Sequence, residues 1–184
     1  ELAEINKQVP VIIEYGAETS HDHTLEAVNR HHTWHQVEDA VRRTHRAGIS
    51  CGLHLICGLP GESIDDILTT TRRACQLPID TLKFHQLQIY RGTAMEREYA
   101  TSPEEFIFAK DFGLDDYVDL VCDVLRHLDA SVAVERLLSQ APVRLLSSSP
   151  LGGIRPDEFR CRVVERLNSL GAVQGDKTEV LFGF

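Results

Sequence analysis

The stretch from Leu53 to Ser63 constrains the fold most, because an alternating strand pattern runs there into a Gly-Leu-Pro-Gly turn and then into a helix start. Side chains alternate between the two faces of a strand, so Gly52, His54, Ile56 and Gly58 share one face. The two glycines predict a bare backbone beside one imidazole, which a flat ligand could approach closely. Ser63 with an aspartate three residues later resembles a capping box, which predicts a helix.

The same order of strand and helix recurs on both sides of this stretch. Alternation predicts further strands over about residues 10–18 and over Thr81 to Tyr90. A capping box at Thr33 and Gln36 predicts a helix that ends at Gly48. Strands that alternate with helices predict a parallel sheet with ligands beyond the carboxyl ends of its strands. The predicted class is therefore α/β.

Past Gly92 the order of elements changes, and no linker or internal repeat divides the 184 residues. We expect one domain over 1–184, with βα units in 1–95 and an α/β extension in 96–184. The elements predicted in this extension are a helix from the Ser102–Glu105 capping box to about Phe112, a helix from Asp115 to Leu128, a strand from Ser131 to Leu138, and a final helix from Pro156 to Leu170.

Composition limits the partners and the compartment. Nineteen Lys and Arg against 28 Asp and Glu give a formal net charge of −9, which argues against a nucleic-acid partner without excluding one. No apolar run approaches the roughly 20 residues of a membrane span. Five scattered cysteines without a Cys-x-x-Cys pair predict a reduced, cytoplasmic protein. The first residue is Glu1 rather than Met, which suggests a piece of a longer chain.

Polar residues on the predicted inner strand faces form a candidate ligand site, although they name no reaction by themselves. They are Glu14, Gly16, Glu18, His54, Gly58, Lys83 and His85. Glu14 and Glu18 would lie roughly 13 Å apart at about 3.3 Å per residue, which is too far for a shared proton. Gly-x-Gly-x-x-Gly, P-loop and Gly-x-Ser-x-Gly motifs are absent, so the usual dinucleotide-binding, NTPase and hydrolase folds lose their main support.

Five histidines crowd into a short region and raise the question of a metal. They are His21, His23, His31, His32 and His35. Zinc needs three or four ligands that converge on one point, and the predicted helix cap at Thr33 separates the members of this group. We expect no metal site there.

Three blocks of sequence together resemble the later half of a radical S-adenosylmethionine (radical SAM) enzyme. The resemblance is closest to the YhcC-like branch, which is related to the elongator-type proteins, and it covers roughly residues 5–140. The blocks are Glu14 to Thr19 with Leu25 to His32, Leu53 to Glu62, and Lys83 to Leu87 through Thr93.

The resemblance implies an incomplete TIM-like barrel whose fourth, fifth and sixth strands are the three strands above. It implies that adenine lies against His54, Ile56 and Gly58, and that Glu18 faces the ribose. Arg30 would meet the methionine carboxylate, for which a guanidinium is well suited. Leu87 would complete the cofactor contacts. The substrate-facing candidates are Glu14, Lys83 and His85, and no catalytic residue is assigned.

The family's three-cysteine cluster motif, which follows the first barrel strand, is absent from this chain. The resemblance therefore implies S-adenosylmethionine and a 4Fe-4S cluster for the parent protein, which would reductively cleave S-adenosylmethionine to a 5′-deoxyadenosyl radical and act on an unknown substrate. This chain should bind no cluster and be inactive alone. A strand left uncovered at the sheet edge also predicts self-association, or cover by the chain's own terminal segment.

Two other functions remain open from the sequence. One is a non-catalytic binding or interaction module on a half barrel. The other is a metal-dependent TIM-barrel hydrolase or lyase that uses the histidines with Glu14 or Glu18.

Overall fold

Four parallel strands, in the order β1-β2-β3-β4, form the centre of the computed structural model, which describes residues 1–109, 112–148 and 151–178. Each strand pairs in parallel with the next one along the chain. The predicted α/β class and parallel sheet are confirmed. The strands are β1 (Ile12–Glu18), β2 (Ser50–Cys57), β3 (Thr81–Gln86) and β4 (Ala133–Arg136).

Helices connect the strands and extend beyond the sheet. The two predicted capping boxes are confirmed, because Thr33 accepts from the Gln36 amide and Ser63 accepts from the Asp66 amide. None of the helices in the described ranges is both long and apolar enough to cross a bilayer. The helices are α1 (Leu2–Asn6), α2 (Asp22–Ala27), α3 (Trp34–Arg46), α4 (Ile64–Cys75), α5 (Ala94–Thr101), α6 (Leu114–His127) and α7 (Pro156–Leu170).

The two faces of the sheet differ in burial. Leu53 and Phe84 are almost fully buried, and they join one apolar cluster with Trp34 from α3 and Tyr117 from α6. We call the other side the inner face; its residues from β2 and β3, such as His54 and Lys83, remain partly exposed. The apolar face therefore holds the helices in place, and the polar inner face is free to build a site.

β1 lies at one edge of the sheet and, among the described residues, pairs only with β2. The apolar side chains near this edge are strongly exposed: Leu2 by 49%, Ile5 by 46%, Val9 by 61% and Ile12 by 54%. Unpaired edges and exposed apolar groups favour association. Self-association through this edge, or its cover by the terminal segment, stays a prediction.

The third and fourth strands are shorter than predicted. β3 ends at Gln86 rather than Tyr90, because the Gln86 side chain takes over the pairing with the neighbouring segment: its Nε2 donates to the Ser139 carbonyl oxygen at 2.8 Å, and its Oε1 accepts from the Ser139 amide at 2.7 Å. Gln86 and Leu87 are consequently both buried, so the strict alternation fails there. β4 likewise spans only the centre of its predicted range.

The helix predicted from Ser102 to about Phe112 is wrong over the described part of that range. Only a short 3₁₀ turn, Pro103–Glu105, occurs there, and the Ser102 side chain caps nothing. The helix lies earlier, as α5, where Thr93 accepts from the Glu96 amide. The Thr-x-x-Glu signature at Thr93 was the stronger cap, because Glu96 also accepts from the Gly92 amide at 2.6 Å.

Candidate functional site

Charged side chains from three strands meet on the inner face. Lys83 of β3 binds Glu14 of β1, and its Nζ lies 3.3 Å from the Glu135 Oε2 of β4. The hydrogen bond with Lys83 lowers the pKa of Glu14, and the same bond raises the pKa of Lys83. Both groups are therefore charged near neutral pH. The structure brings two of the three substrate-facing candidates, Glu14 and Lys83, into direct contact.

Two imidazoles stack beside this ion pair. The rings of His54 and His85 lie 5.2 Å apart between centroids with 28° between their planes, and the His54 Nε2 lies 3.5 Å from the Glu14 Oε2. His85 Nδ1 pairs with the Ser139 hydroxyl. Burial, followed by the nearby His54 and Arg136, lowers the pKa of His85 to about 4, so its ring is neutral at physiological pH.

The Nε2 atom of His85 is buried and has no hydrogen-bond partner within the described ranges, whereas the Nε2 atom of His54 lies 3.5 Å from the Glu14 carboxylate. A buried polar atom without a partner costs about 1–3 kcal/mol, so native structures rarely leave one. A bound ligand with complementary donors or acceptors would remove this cost. The inner face at these two rings is thus a candidate binding surface.

Glu18 and Arg30 form a second polar pair at the carboxyl end of β1. Arg30 Nη2 lies 2.9 Å from Glu18 Oε1 and donates to the Gly16 carbonyl oxygen at 2.9 Å. A bulge in the β1–β2 register falls between Gly16 and Glu18, and Glu18 adopts a left-handed backbone with φ of +63°. Burial raises the pKa of the Glu18 carboxyl against the opposing effect of Arg30.

Gly16 makes room for the Glu18–Arg30 pair. A Cβ at this position would lie 2.7 Å from Glu18 Oε1 and 2.9 Å from Arg30 Nη2. Strained backbone at a non-glycine residue persists only where the surroundings enforce it, and such positions cluster at functional sites. The geometry therefore favours a role for this pair beyond stability.

The other three residues predicted to contact the cofactor lie in three different environments. Ile56 is half-buried on β2 in register with His85, so it continues the inner face. Leu87 is buried in the apolar cluster beyond the end of β3. Gly58 follows the last residue of β2. As cofactor contacts these three residues stay predictions.

The expectation of a bare backbone along β2 is wrong. A Cβ on Gly58 would lie 2.8 Å from Phe108 Cδ2, because the Phe108 ring packs against this glycine, and a Cβ on Gly52 would collide with the Thr81 side chain. Side chains of the chain itself thus fill both glycine positions. A flat ligand could contact Gly58 only if the Phe108 ring moved.

Glu62 is a site residue that the sequence reasoning missed. Its side chain is 3% exposed, and its Oε1 accepts from Thr19 Oγ1 at 2.5 Å. Thr19 follows β1 and Glu62 follows β2, so this bond ties together the carboxyl ends of the two strands. The position of a glutamate directly after the Gly-Leu-Pro-Gly turn was the available signal. Ser139 and Glu135 were missed as well, since only tertiary contacts bring them to the inner face.

Replacing Glu62 by glutamine should change how stability depends on pH. Burial raises the folded-state pKa of Glu62 above its unfolded value. Protonation of Glu62 therefore contributes stability below the unfolded pKa of about 4.3, and that contribution is lost as pH rises through the folded value. Glutamine keeps an acceptor for Thr19 and carries no charge. We expect Glu62→Gln to be more stable than the parent chain at pH 7 and equal to it near pH 4.

Urea titrations at a series of pH values measure this difference. Glu165→Gln, on the exposed face of α7, serves as the control. Its free energy of unfolding should differ from that of the parent chain by the same amount at every pH. A Glu62→Gln variant that is less stable than the parent at pH 7 would contradict a destabilising buried charge.

No three His, Cys, Asp or Glu side chains in the described ranges converge as a metal site. His21 instead contacts the Asp66 backbone oxygen through Nε2 at 3.1 Å. The five cysteines are all free and are dispersed over the fold, with Cys57 and Cys122 buried and Cys161 exposed. A metal-dependent hydrolase on the histidine cluster has no support from this geometry.

Comparison with known proteins bears on the family and the fold. The family model described as the Radical SAM superfamily matches residues 1–74, and that described as the Radical_SAM C-terminal domain matches residues 79–169. A solved structure of the archaeal Methanocaldococcus infernus Elp3 with an N-terminal deletion superposes with a TM-score of 0.75 and 16% identity, over 94% of this chain and 39% of that one. This likeness concerns the fold, and it agrees with the predicted partial TIM-like barrel.

Three curated proteins are similar in sequence. YtqA of Bacillus subtilis is 30% identical over 174 residues, which is 95% of this chain and 52% of YtqA. MJ0486 of Methanocaldococcus jannaschii is 31% identical over 89% of this chain and 49% of its own. YhcC of Escherichia coli is 30% identical over 71% of this chain and 41% of its own. The chain thus spans about half the length of these relatives.

The two family models lie end to end and together extend over most of the chain. The relatives include YhcC itself, in agreement with the predicted branch. The resemblance of the three sequence blocks is confirmed: the chain belongs to the radical SAM superfamily.

Proposed function

We propose that this chain is the S-adenosylmethionine-binding part of a radical SAM enzyme. The observation that carries the proposal is the Glu18–Arg30 pair at the carboxyl end of β1, where a bulge and a left-handed residue hold a half-buried carboxylate against a partly exposed guanidinium. In parallel α/β folds, ligands bind at this end of the strands. The pair therefore lies where a cofactor would bind.

The residues present fit S-adenosylmethionine chemically. Glu18 supplies a carboxylate acceptor for ribose hydroxyls, and Arg30, whose side chain is 41% exposed, supplies donors for the methionine carboxylate. Ile56 offers an apolar surface for adenine on the same inner face. The unpartnered Nε2 atom of His85, whose ring stacks on His54, suits a substrate or cofactor group that can hydrogen-bond.

The cysteines of this chain do not fit a 4Fe-4S cluster, because they are dispersed and burial raises the pKa of Cys51, Cys57, Cys75 and Cys122. In the proposal, the cluster that supplies the electron for cleavage to methionine and a 5′-deoxyadenosyl radical is held by another part of a longer polypeptide. This chain alone then binds S-adenosylmethionine without cleaving it. Reduced thiols suit a cytoplasmic location.

Calorimetric titration of the chain with S-adenosylmethionine tests the proposal. We expect Arg30→Ala to weaken binding at least tenfold, because loss of a hydrogen bond to a charged group costs about 1.5–3 kcal/mol. Gly16→Ala should weaken binding too, since its Cβ would displace both members of the pair. Its backbone needs no left-handed conformation, so the fold should tolerate it.

Arg43→Ala is the matched control. Arg43 forms an exposed pair with Asp39 one helical turn away on α3, and its loss should leave the affinity unchanged. Equal affinity of the parent and Arg30→Ala chains, or no heat of binding in the parent, would overturn the proposal.

A further inference from the structure

A cavity of about 440 Å³ opens beyond the carboxyl ends of β3 and β4, apart from the Glu18–Arg30 pair. Its walls come from Gln86 to Gln88, from residues 138–143 after β4 with Leu146 and Ser148, and from Leu151, Gly153 and Ile154. Small-molecule sites are usually concave, mostly apolar pockets of about 300–1,000 Å³ with a few placed polar groups. The size and the location of this cavity both suit such a site.

The chemistry of the lining is selective. About one residue in four of the chain is charged, but none of the fourteen described residues that line the cavity is. Three glutamines and two serines supply all the polar side chains, and the other nine residues are apolar or glycine. A charged ligand would lose hydration here without a counter-ion, whereas an uncharged group with an amide could be hydrogen-bonded.

Hydrogen bonds fix part of the wall in place. Both amide atoms of Gln86 bind the backbone of Ser139, and Arg91, which is not itself a lining residue, donates from Nε to the Leu146 carbonyl oxygen at 2.8 Å. A pre-formed wall lowers the cost of ordering on binding. The mouth, in contrast, exposes apolar groups, since Val143 is 66% exposed.

Ser139 links the cavity to the inner face. It lines the cavity, and its hydroxyl pairs with His85 Nδ1, whose ring stacks on His54. A ligand held in the cavity would therefore contact a residue that is hydrogen-bonded directly to one of the stacked imidazoles.

We propose that this cavity binds an uncharged, amide-bearing group and excludes its carboxylate counterpart. That this group belongs to the substrate of the enzyme rests on the proposed function. The binding specificity does not rest on the proposed function, because it is argued only from the residues that line the cavity.

Nicotinamide and nicotinate are the matched probes, since they differ in one amide-to-carboxylate change. Backbone amide spectra of the ¹⁵N-labelled chain are recorded during titration with each compound. We expect nicotinamide to shift the resonances of Gln88, Ser139 and Leu146 with a dissociation constant at least tenfold lower than that of nicotinate. Equal affinities, a preference for nicotinate, or no shift with either probe would overturn the proposal.

Two variants, with Ala100→Trp as a control, test whether binding occurs in the cavity. Ala141→Trp should fill it and abolish the nicotinamide shifts, whereas Ala100→Trp on the exposed side of α5 should not. Val143→Lys adds a cation at the exposed mouth and should raise the affinity for nicotinate at least to that for nicotinamide. Shifts that survive Ala141→Trp, or an unchanged preference in Val143→Lys, would contradict the assignment. The titration needs no S-adenosylmethionine, so its failure would leave the Arg30 result untouched.

Discussion

Gly58→Ala should destabilise the chain by about 2–6 kcal/mol, as measured by denaturant unfolding. Gly58 has φ of +85°, and a side chain forced into such a conformation costs roughly 1–3 kcal/mol. Its Cβ would also lie 2.8 Å from Phe108 Cδ2, so the aromatic ring must move, and overpacking of a core costs about 1–3 kcal/mol. The two costs add because the first arises in the Gly58 backbone and the second in its contact with the Phe108 ring.

Gly48→Ala separates the two effects. Gly48 has φ of +68°, and nothing lies within 4 Å of the position of its added Cβ, so this variant measures the backbone cost alone. The contact cost is obtained from a double-mutant cycle of Gly58→Ala with Phe108→Ala, where we expect a coupling of about 1–3 kcal/mol. Equal destabilisation by Gly48→Ala and Gly58→Ala, with no coupling, would show that Phe108 does not occupy this position.

Lys83→Met should cost about 1–2 kcal/mol near neutral pH. The Lys83 side chain is 15% exposed and those of Glu14 and Glu135 are 33% and 37% exposed. The cost should thus exceed the 0–1 kcal/mol of a surface pair and fall short of the roughly 3–5 kcal/mol for breaking a buried one. Methionine keeps the length and the apolar stem of lysine, so the loss measures the interaction of the ammonium with its carboxylates.

The cost of Lys83→Met should depend on pH with a definite sign. The hydrogen bond with Lys83 lowers the folded-state pKa of Glu14, so this contribution is present above the unfolded pKa of about 4.3 and is lost as pH falls through the folded value. We expect the parent and variant stabilities to converge as pH falls below the lowered folded-state pKa of Glu14. Lys177→Met, which removes an exposed pair with Asp123, should cost less than about 1 kcal/mol. A Lys83→Met cost that is the same at pH 3 and pH 7 would contradict the ion pair.

The sequence alone predicted the features that depend on residues close to one another in the chain. Alternation placed Leu53 and Phe84 on the buried side of their strands, and short-range caps placed Thr33 and Ser63 at helix starts. The inner-face set of Glu14, His54, Lys83 and His85 followed from the same alternation. All of these depend on spacings of two to four residues, which the sequence shows directly.

Contacts between distant segments could not be predicted in this way. Phe108 packs against Gly58 across 50 positions, and Ser139 reaches His85 across 54. From sequence alone, a glycine at the end of a strand predicts exposed backbone. Only the structure shows that the Phe108 ring occupies the space beside Gly58. Similarly, β3 ends at Gln86 because the Gln86 side chain bonds the neighbouring segment. No local sequence pattern distinguishes this ending from a strand that continues for another residue.

The bulge at Gly16 and Glu18 also limits how far a second strand could pair along the edge of β1. A partner strand could extend along the free edge of β1 only while the backbone stays regular, and the register shift together with the left-handed Glu18 interrupts it before the strand ends. Bulges of this kind turn an edge away from further pairing. A distortion that shapes the Glu18–Arg30 pair would thereby also shorten the template available to a second chain.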